Sequence, residues 1–344
     1  MKPLKSAAWT ILAMVGIVIL FGNFIAPYDH RSQSRADPSA PPSVIRFYDR
    51  SGEFHLRPFI YRQKLADPLS RTYEEDQSTP FPLTLYSSGD QYSLLGIFPA
   101  TTHLFGVEAT DGAPRIHVLG TDELGRDRFS RLMRAIRFSL IVCPIGACLA
   151  WVIGVLIGLI SGSSGTKTDS VLMGVADTML ALPTLVLILA ARAAFPLELP
   201  PLRTAMLLVL IFAAFGWAET ARLTRGIVRS IKQQEYILAA RAIGLSDARV
   251  MLRHILPNAL PTISRQGLVT LPAFLLAEVA LSFLGIGLQE PEPSLGTLLA
   301  AAADVNQLQR YPWLVLAPGI VIAVFILAIR IVGGSTELKA KVSS

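Results

Sequence analysis

The chain has 344 residues, 52% of them apolar and only 16% charged, with 31 Lys and Arg against 25 Asp and Glu for a net charge of +6. Ordinary globular chains carry about a quarter charged residues; so few could not cover a soluble surface of this size, so much of the chain must face lipid. Disorder, collagen-like repeats and a disulfide scaffold are excluded as well, since Cys143 and Cys148 both fall inside an apolar run and read as small buried hydrophobes.

A transmembrane helix needs about 20 mostly apolar residues. In chain order, six segments satisfy this: 7–26, 139–160, 171–195, 204–223, 267–288 and 313–332. The first follows Lys2 and Lys5 and has the outline of a signal peptide. Phe24 and Ala26 make a poor small-x-small cleavage site, however, and the run is long enough to span, so an uncleaved anchor is expected. Pro183 and Pro272 interrupt the third and fifth segments and are expected to kink them.

Residues 27–138 depart from the apolar composition, with 14 basic and 14 acidic side chains. Residues 31–43, rich in Pro, Ser and Asp, read as a linker. Residues 81–86 and 92–98 flank Ser87-Ser88-Gly89-Asp90 and predict a β-hairpin, to which 104–107 and 115–119 could add short strands. A small, mainly β insertion is the expectation. Beyond it, Thr121 or Asp122 is placed to cap an interfacial helix through Arg128, Arg131 and Arg134.

Between the fourth and fifth segments lie Arg222, Arg225, Arg229, Lys232, Arg241, Arg249, Arg253 and Arg265, with only Glu235 and Asp247 as acids. Basic residues in short loops mark the cytoplasmic side. That choice also puts Lys2, Lys5, Lys167, Lys339 and Lys341 inside, makes both termini cytoplasmic, and leaves Glu198 and residues 305–309 outside. Residues 27–138 then lie outside, because long loops translocate largely regardless of charge. The basic excess is a topology signal; no nucleic-acid partner is expected, and lipid is.

The segment 162–168 lacks the Gly-Lys pair of a phosphate-binding loop and follows no strand, so it reads as a turn between membrane helices. His30, His55, His103, His117 and His254 are scattered without metal-ligand spacing, and no hydrolase elbow or zinc-helix motif occurs. No catalytic residue, metal or cofactor is therefore expected in this chain. Asp177 and Glu278 lie inside apolar segments, where an ionisable group is costly. As proton carriers they would make a proton-coupled secondary transporter. With no Lys or Arg evident at matching depth, the favoured reading is that each accepts hydrogen bonds between helices.

Residues 235–258 read Glu-Tyr-Ile-Leu-Ala-Ala-Arg-Ala-Ile-Gly-Leu-Ser-Asp-Ala-Arg-Val-Met-Leu-Arg-His-Ile-Leu-Pro-Asn, a pattern of two short helices about a turn. Gly244 ends the first, Ser246 or Asp247 caps the second, and Pro257 closes it. Tyr236, Ala240 and Gly244 share one face; Val250, Met251, His254 and Ile255 make an apolar face beside Arg249 and Arg253. A helix pair too short to span is a docking surface; lying flat on the bilayer is the other reading.

This stretch resembles the EAA coupling loop of ATP-binding-cassette importer permeases: Ala239-Ala240, three residues, Gly244, then Leu256-Pro257. Its start and its Arg-His-Ile-Leu-Pro-Asn finish are similar to the dipeptide/oligopeptide branch, OppC/DppC. Leu119-Gly120-Thr121-Asp122-Glu123-Leu124-Gly125-Arg126-Asp127 resembles that branch's Gly-Thr-Asp-x-x-Gly-Arg-Asp signature, and residues 277–288 resemble its fifth helix. Three departures stand out: Leu238 occupies the general motif's Glu position with Glu235 three residues earlier, His254 replaces a frequent Ile, and the insertion at 52–107 is longer than usual.

The resemblance implies an all-α polytopic protein with six transmembrane helices of the type I importer permease fold, carrying a small mainly β extracytoplasmic insertion. Its parts would be an anchor (1–26), an extracytoplasmic segment (27–138), a five-helix core (139–332) with the coupling loop at 222–265, and a cytoplasmic tail (333–344). It further implies half of a peptide pathway in a bacterial inner membrane. A homologous second permease, two ATPases that bind ATP and Mg, and an extracytoplasmic binding protein would be its partners. Glu235, Ala239, Ala240, Gly244, Leu256 and Pro257 would couple to the ATPases, while Gly120, Thr121, Asp122, Gly125, Arg126 and Asp127 would form a turn at the outer face.

Overall fold

Helix α1, Lys2–Ile25, is apolar on every side, and its exposed residues include Trp9, Met14 and Leu20, as a helix surrounded by lipid requires. It stops before Pro27, which disfavours helical geometry at Ala26. The computed structural model describes residues 2–68, 70–94, 97–108, 112–303, 308 and 311–334. Of the loop expected outside at 305–309 only residue 308 is described, and the tail from 335 on, with Lys339 and Lys341, lies outside the described residues.

Four strands follow among the described residues: β1 (Arg46–Tyr48), β2 (Phe54–Asp67), β3 (Thr72–Leu94) and β4 (Phe98–Val107), all antiparallel in the order β1-β2-β3-β4. Phe59, Ile60 and Tyr61 are their buried centre. The expected hairpin is displaced. Ser87–Asp90 lies within β3, and the reversal comes later, with Leu94 paired to Phe98. The register shift between Ser88 and Tyr92 explains the misleading turn chemistry: small polar residues in a strand also mark a bulge where another group comes close. At Gly89 a Cβ would sit 2.7 Å from the His103 ring.

Residues 104–107 belong to β4, but 115–119 form no strand, because side-chain oxygens take the donors a ladder would need. Ile116 N–H goes to Tyr28 Oη and His117 N–H to Ser43 Oγ. Nor do residues 31–43 hang free as a linker. Ser34 and Ser39 N–H donate to the Gly125 and Asp122 carbonyls, and Ser43 N–H donates to that of His117.

Helix α2, Arg128–Ser163, is 36 residues long, about 54 Å at 1.5 Å per residue. The arginine-bearing stretch 128–138 is its first three turns and no separate interfacial helix. The third expected span is broken. Helix α3 (Thr166–Leu180) and α4 (Thr184–Ala193) meet at 83°, because Pro183 has no N–H to give and constrains the residue before it. Then come α5 (Pro201–Lys232), α6 (Glu235–Ala242) and α7 (Asp247–Val250), which runs through a π-turn (Met251–Ile255) into α8 (Leu256–Phe283). Helix α8 continues across Pro261 and Pro272, unlike the break at Pro183. Helix α9 (Leu295–Ala301) opens with a capping box between Ser294 and Thr297, and α10 is Trp313–Gly334. Among the described residues, five helices are therefore long and apolar enough to cross a membrane, or six if α3 and α4 together make one span.

Two packing units divide the chain part-way along α1, α2 and α10: one holds Met1–Leu12, Ser139–Gln289 and the described part of Ala323–Ser344, the other Ala13–Phe138 and Glu290–Ile322. In the first unit α2 presents Gly154, Gly158 and Gly162 to α5, where Cβ atoms would lie 2.6, 2.5 and 2.8 Å from Thr220, Thr224 and Val228. A glycine every fourth residue lets two membrane helices approach at backbone distance. Cys143 is buried, but Cys148 is exposed on α2's outer side, against expectation; an apolar thiol on a lipid-facing surface needs no burial in protein.

Candidate coupling surface and signature cluster

Helix α6 is amphipathic in a specific sense. Ile237 and Ala240 point inward to join Val228, Ile231, Val250, Ile255, Ala259 and Ile263 in one apolar cluster. Burying Ile237 completely is worth about 2 kcal/mol, which holds the short helix against its neighbours. Glu235, Tyr236, Leu238, Ala239, Arg241 and Ile243 are left exposed, with Leu238 53% and Ile243 80% accessible. Ala240 therefore belongs to the inner face, because the face shared with Tyr236 in the sequence pattern is split by burial at Ile237. Gly244 ends the helix at φ +85°, where a side chain would be strained, and nothing lies within 4 Å of its open side.

Ser246 is the N-cap of α7 by position but makes no side-chain cap bond. Pro257 does not close the second helix. The π-turn at Met251–Ile255 delivers it to the start of α8, where its missing N–H costs little. Leu256 is half-buried and Pro257 exposed, and Asn258 Nδ2 donates to the His254 carbonyl (2.7 Å) and to Tyr236 Oη (3.2 Å), joining α8 to α6.

In the second unit the signature residues build a tight turn. Gly120 and Gly125 have φ of +75° and +72°, and a Cβ on Gly120 would lie 2.5 Å from the Ala40 carbonyl oxygen; only glycine fits. Thr121 Oγ1 accepts the Ala40 N–H (2.8 Å) and donates to the Asp37 carbonyl. Asp122 accepts the N–H of Leu124 and Arg126 through Oδ1, and Arg126 Nε through Oδ2 at 2.6 Å. The helix cap is Asp127, not Thr121 or Asp122. Its Oδ2 takes the Ser130 N–H (2.8 Å) and hydroxyl (2.7 Å), while Oδ1 faces His117 Nδ1 at 3.1 Å.

Two acids that the sequence reading passed over complete this cluster. Glu290 accepts from Arg126 Nη1 (2.6 Å) and Arg131 Nη2 (2.7 Å). Glu292 accepts from Arg134 Nε (3.0 Å) and Arg31 and lies 3.2 Å from His30 Nε2. Burial would raise the Glu292 pKa, but His30, Arg134 and Arg31 outweigh it and hold the carboxyl well below the usual range. Burial likewise works against the Arg126 charge, and Asp122 and Glu290 outweigh it, raising its pKa. No local pattern in Gln-Glu-Pro-Glu-Pro announces arginine partners some 160 residues away.

The two intramembrane acids have different surroundings. Asp177 is exposed and has a basic partner after all, Arg222 Nη1 at 3.4 Å. Arg222 falls in the last residues of the expected segment 204–223, and nothing along the sequence sets it at the depth of Asp177, whereas α5 runs on to Lys232. Glu278 is fully buried in α8 and accepts from Ser282 Oγ at 2.8 Å. Two further buried charges went unnoticed in the sequence. Arg192, with no accessible surface, donates to the carbonyls of Phe195, Pro196, Leu197 and Gly287. Asp169 is ringed by Arg225, Arg229 and Ser161. The available signal was an acid in the first turn of one apolar helix and an i, i+4 arginine pair in another.

Residues 154–337 match the family model described as "Binding-protein-dependent transport system inner membrane component". The chain belongs to this family. The oligopeptide transport system permease protein OppC of Bacillus subtilis is 34% identical over 234 residues, covering 68% of this chain and 73% of the relative. The di/tripeptide transport system permease protein DppC of Pseudomonas aeruginosa is 34% identical over 223 residues, 65% of this chain and 71% of its own. Among solved structures, an inward-facing form of the MetNI methionine ABC transporter aligns with a TM-score of 0.47 at 15% identity, over 60% of this chain and 94% of that one. As a binding-protein-dependent inner membrane component, the chain is a multi-pass translocation subunit, and its family match takes in α3 to α10 with the candidate coupling surface while leaving the β-sheet outside.

Proposed function

We propose that this chain is a peptide-translocating subunit of an ATP-binding-cassette importer, built on the type I permease fold with α3 and α4 as one broken sixth span. It pairs with a second, homologous permease and receives cargo from an extracytoplasmic binding protein. Two cytoplasmic ATPases, which bind ATP and Mg, drive it. Both termini are cytoplasmic, and residues 27–138 with their β-sheet lie outside. The observation that carries this reading is α6: a helix anchored by Ile237 and Ala240 that turns Glu235, Leu238, Ala239 and Ile243 outward. An exposed apolar stripe on a short helix is the face a partner's groove accepts. The 34% identity to permeases named for oligopeptides and di/tripeptides supports the cargo class.

Proton carriage by Asp177 and Glu278 finds no support: the family is that of binding-protein-dependent systems, and Asp177 is already paired with Arg222. The cleanest test of docking is Ala239→Trp, since Ala239 is exposed and helical, whereas any side chain at Gly244 also strains the backbone. In proteoliposomes holding the full complex, the variant is expected to lower ATP-dependent uptake of a radiolabelled tri-alanine at least tenfold, with unchanged membrane insertion. Wild-type uptake by Ala239→Trp would refute docking through α6.

A further inference from the structure

We propose that Asp169 is the relay by which displacement of α6 reaches the broken span α3–α4; the proposal rests on α6 being the ATPase-docking helix. The carboxylate sits in the first turn of α3 and is 5% exposed. Arg225 grips it with two prongs, Nε to Oδ1 at 2.5 Å and Nη2 to Oδ2 at 2.7 Å. Arg229 Nη2 adds a third contact at 2.6 Å, and Ser161 Oγ of α2 donates to Oδ1 at 2.6 Å. Lys232 Nζ reaches the carbonyls of Gly162 and Ser163 at 3.4 and 3.2 Å. Arg225, Arg229 and Lys232 recur at i, i+4 and i+7, so one stripe of α5 holds the whole turn between α2 and α3.

The same two turns of α5 carry α6 on another side. Only Gln233 and Gln234 separate Lys232 from α6, and Val228 and Ile231 share an apolar cluster with Ile237 and Ala240. A push on α6 is thus delivered to the end of α5 that grips Asp169. Elsewhere α3 meets α5 through Met173 and Ala176 against Trp217, Ala218 and Ala221. Such apolar contact is non-directional and lets helices slide, whereas a two-pronged arginine–carboxylate pair fixes register. The second rung, Arg222 to Asp177 at 3.4 Å, is more than half exposed on both sides and holds far less. Past Pro183 the chain bends by 83° into α4, so a shift of α3 is also a swing of α4.

The test measures tri-alanine taken up per ATP hydrolysed in proteoliposomes carrying the complete importer with its loaded binding protein. Asp169→Asn is expected to lower that ratio at least tenfold, with co-purification of the ATPases and their hydrolysis rate within twofold of wild type. Arg229→Gln, which removes a single arm and decides the matter should Asp169→Asn fail to assemble, is expected to lower it about threefold. Exchanging the charges, Asp169→Arg with Arg225→Asp, is expected to restore at least half of the wild-type ratio. An unchanged ratio in Arg229→Gln and Asp169→Asn, or a parallel loss of uptake and hydrolysis that the exchange does not repair, would reduce Asp169 to a structural staple. Absence of ATP-dependent uptake by the wild-type complex would instead overturn the importer reading, and the relay with it.

Discussion

His117 shows how much a single side chain holds in the signature cluster. It is 3% exposed, with Nδ1 3.1 Å from Asp127 and Nε2 3.8 Å from Asp37. Burial alone would lower its pKa, but the two carboxylates outweigh burial and raise it above 6.5. Burial would likewise raise Asp37, and the nearby His117 ring together with a hydrogen bond from Ser34 outweighs it and lowers that pKa. When protonated, the ring ties the cap of α2 to residues 31–43. A histidine whose folded pKa exceeds its unfolded one stabilises fully below the unfolded value, and the gain disappears as pH rises through the folded value. The thermal midpoint of the purified chain in detergent is thus expected to fall as pH rises from below the ordinary histidine range through the raised His117 value, and His117→Gln to flatten that slope while losing about 1–2 kcal/mol at the acidic end. Equal slopes in both proteins would refute the linkage. Glu292 acts in the opposite direction: its lowered pKa keeps its contribution intact above the ordinary carboxylate range, and that is lost only as pH falls through the depressed value.

At the scale of the elements, two residue types that disfavour helices in water do different work here. The glycines of α2 form the seam with α5, so side-chain size there sets the distance between two spans. Gly158→Leu must displace Thr224 and the Ala221 carbonyl, which would lie 2.5 and 2.6 Å from the first added atom. Overpacking of this kind costs about 1–3 kcal/mol. A lower melting midpoint for Gly158→Leu than for Gly174→Leu, where nothing lies within 4 Å, is the expected result; equal midpoints would exclude a close seam. Prolines divide by context. Pro144, Pro261, Pro272 and Pro318 are carried inside continuous helices, and only Pro183 sits at a break. Spacing along the sequence could not separate these cases, since Pro144, Pro272 and Pro318 lie in apolar runs just as Pro183 does.

For the whole molecule, the proposed orientation rests on the basic residues concentrated between α5 and α8. With Cys143 and Cys148 replaced, a membrane-impermeant maleimide added to intact cells is expected to label Ser78→Cys on β3, and to label Ala239→Cys on α6 only after the membrane is opened. Both sites are exposed, so accessibility in the folded chain does not bias the comparison. The reverse pattern would invert the topology. The β-sheet outside the family match is held to its unit by named bonds: Asp29 N–H to Asp90 Oδ2 at 2.9 Å, Arg71 to Ser39 at 2.8 Å, and Tyr73 Oη to the Pro38 carbonyl at 2.8 Å.

Hydropathy alone located the long apolar helices, though not the break in the third segment, because lipid rewards any sufficiently long apolar run whatever it packs against. Local chemistry also marked the end of α6 at Gly244, but it named no strand before residue 81, so β1 and β2 came only with the fold. Tertiary structure decided which side of each element counts. Ala240 went inward because Ile237 found a cluster, Asp127 rather than Asp122 became the cap, and Ser87–Asp90 made a bulge because His103 stood opposite. It also decided the ion pairs. Asp169 with Arg225, and Glu290 with Arg126, are separated by 56 and 164 residues. A charge buried at that separation is tolerable only once folding has brought its partner within hydrogen-bond reach, and no pattern along the chain records that distance.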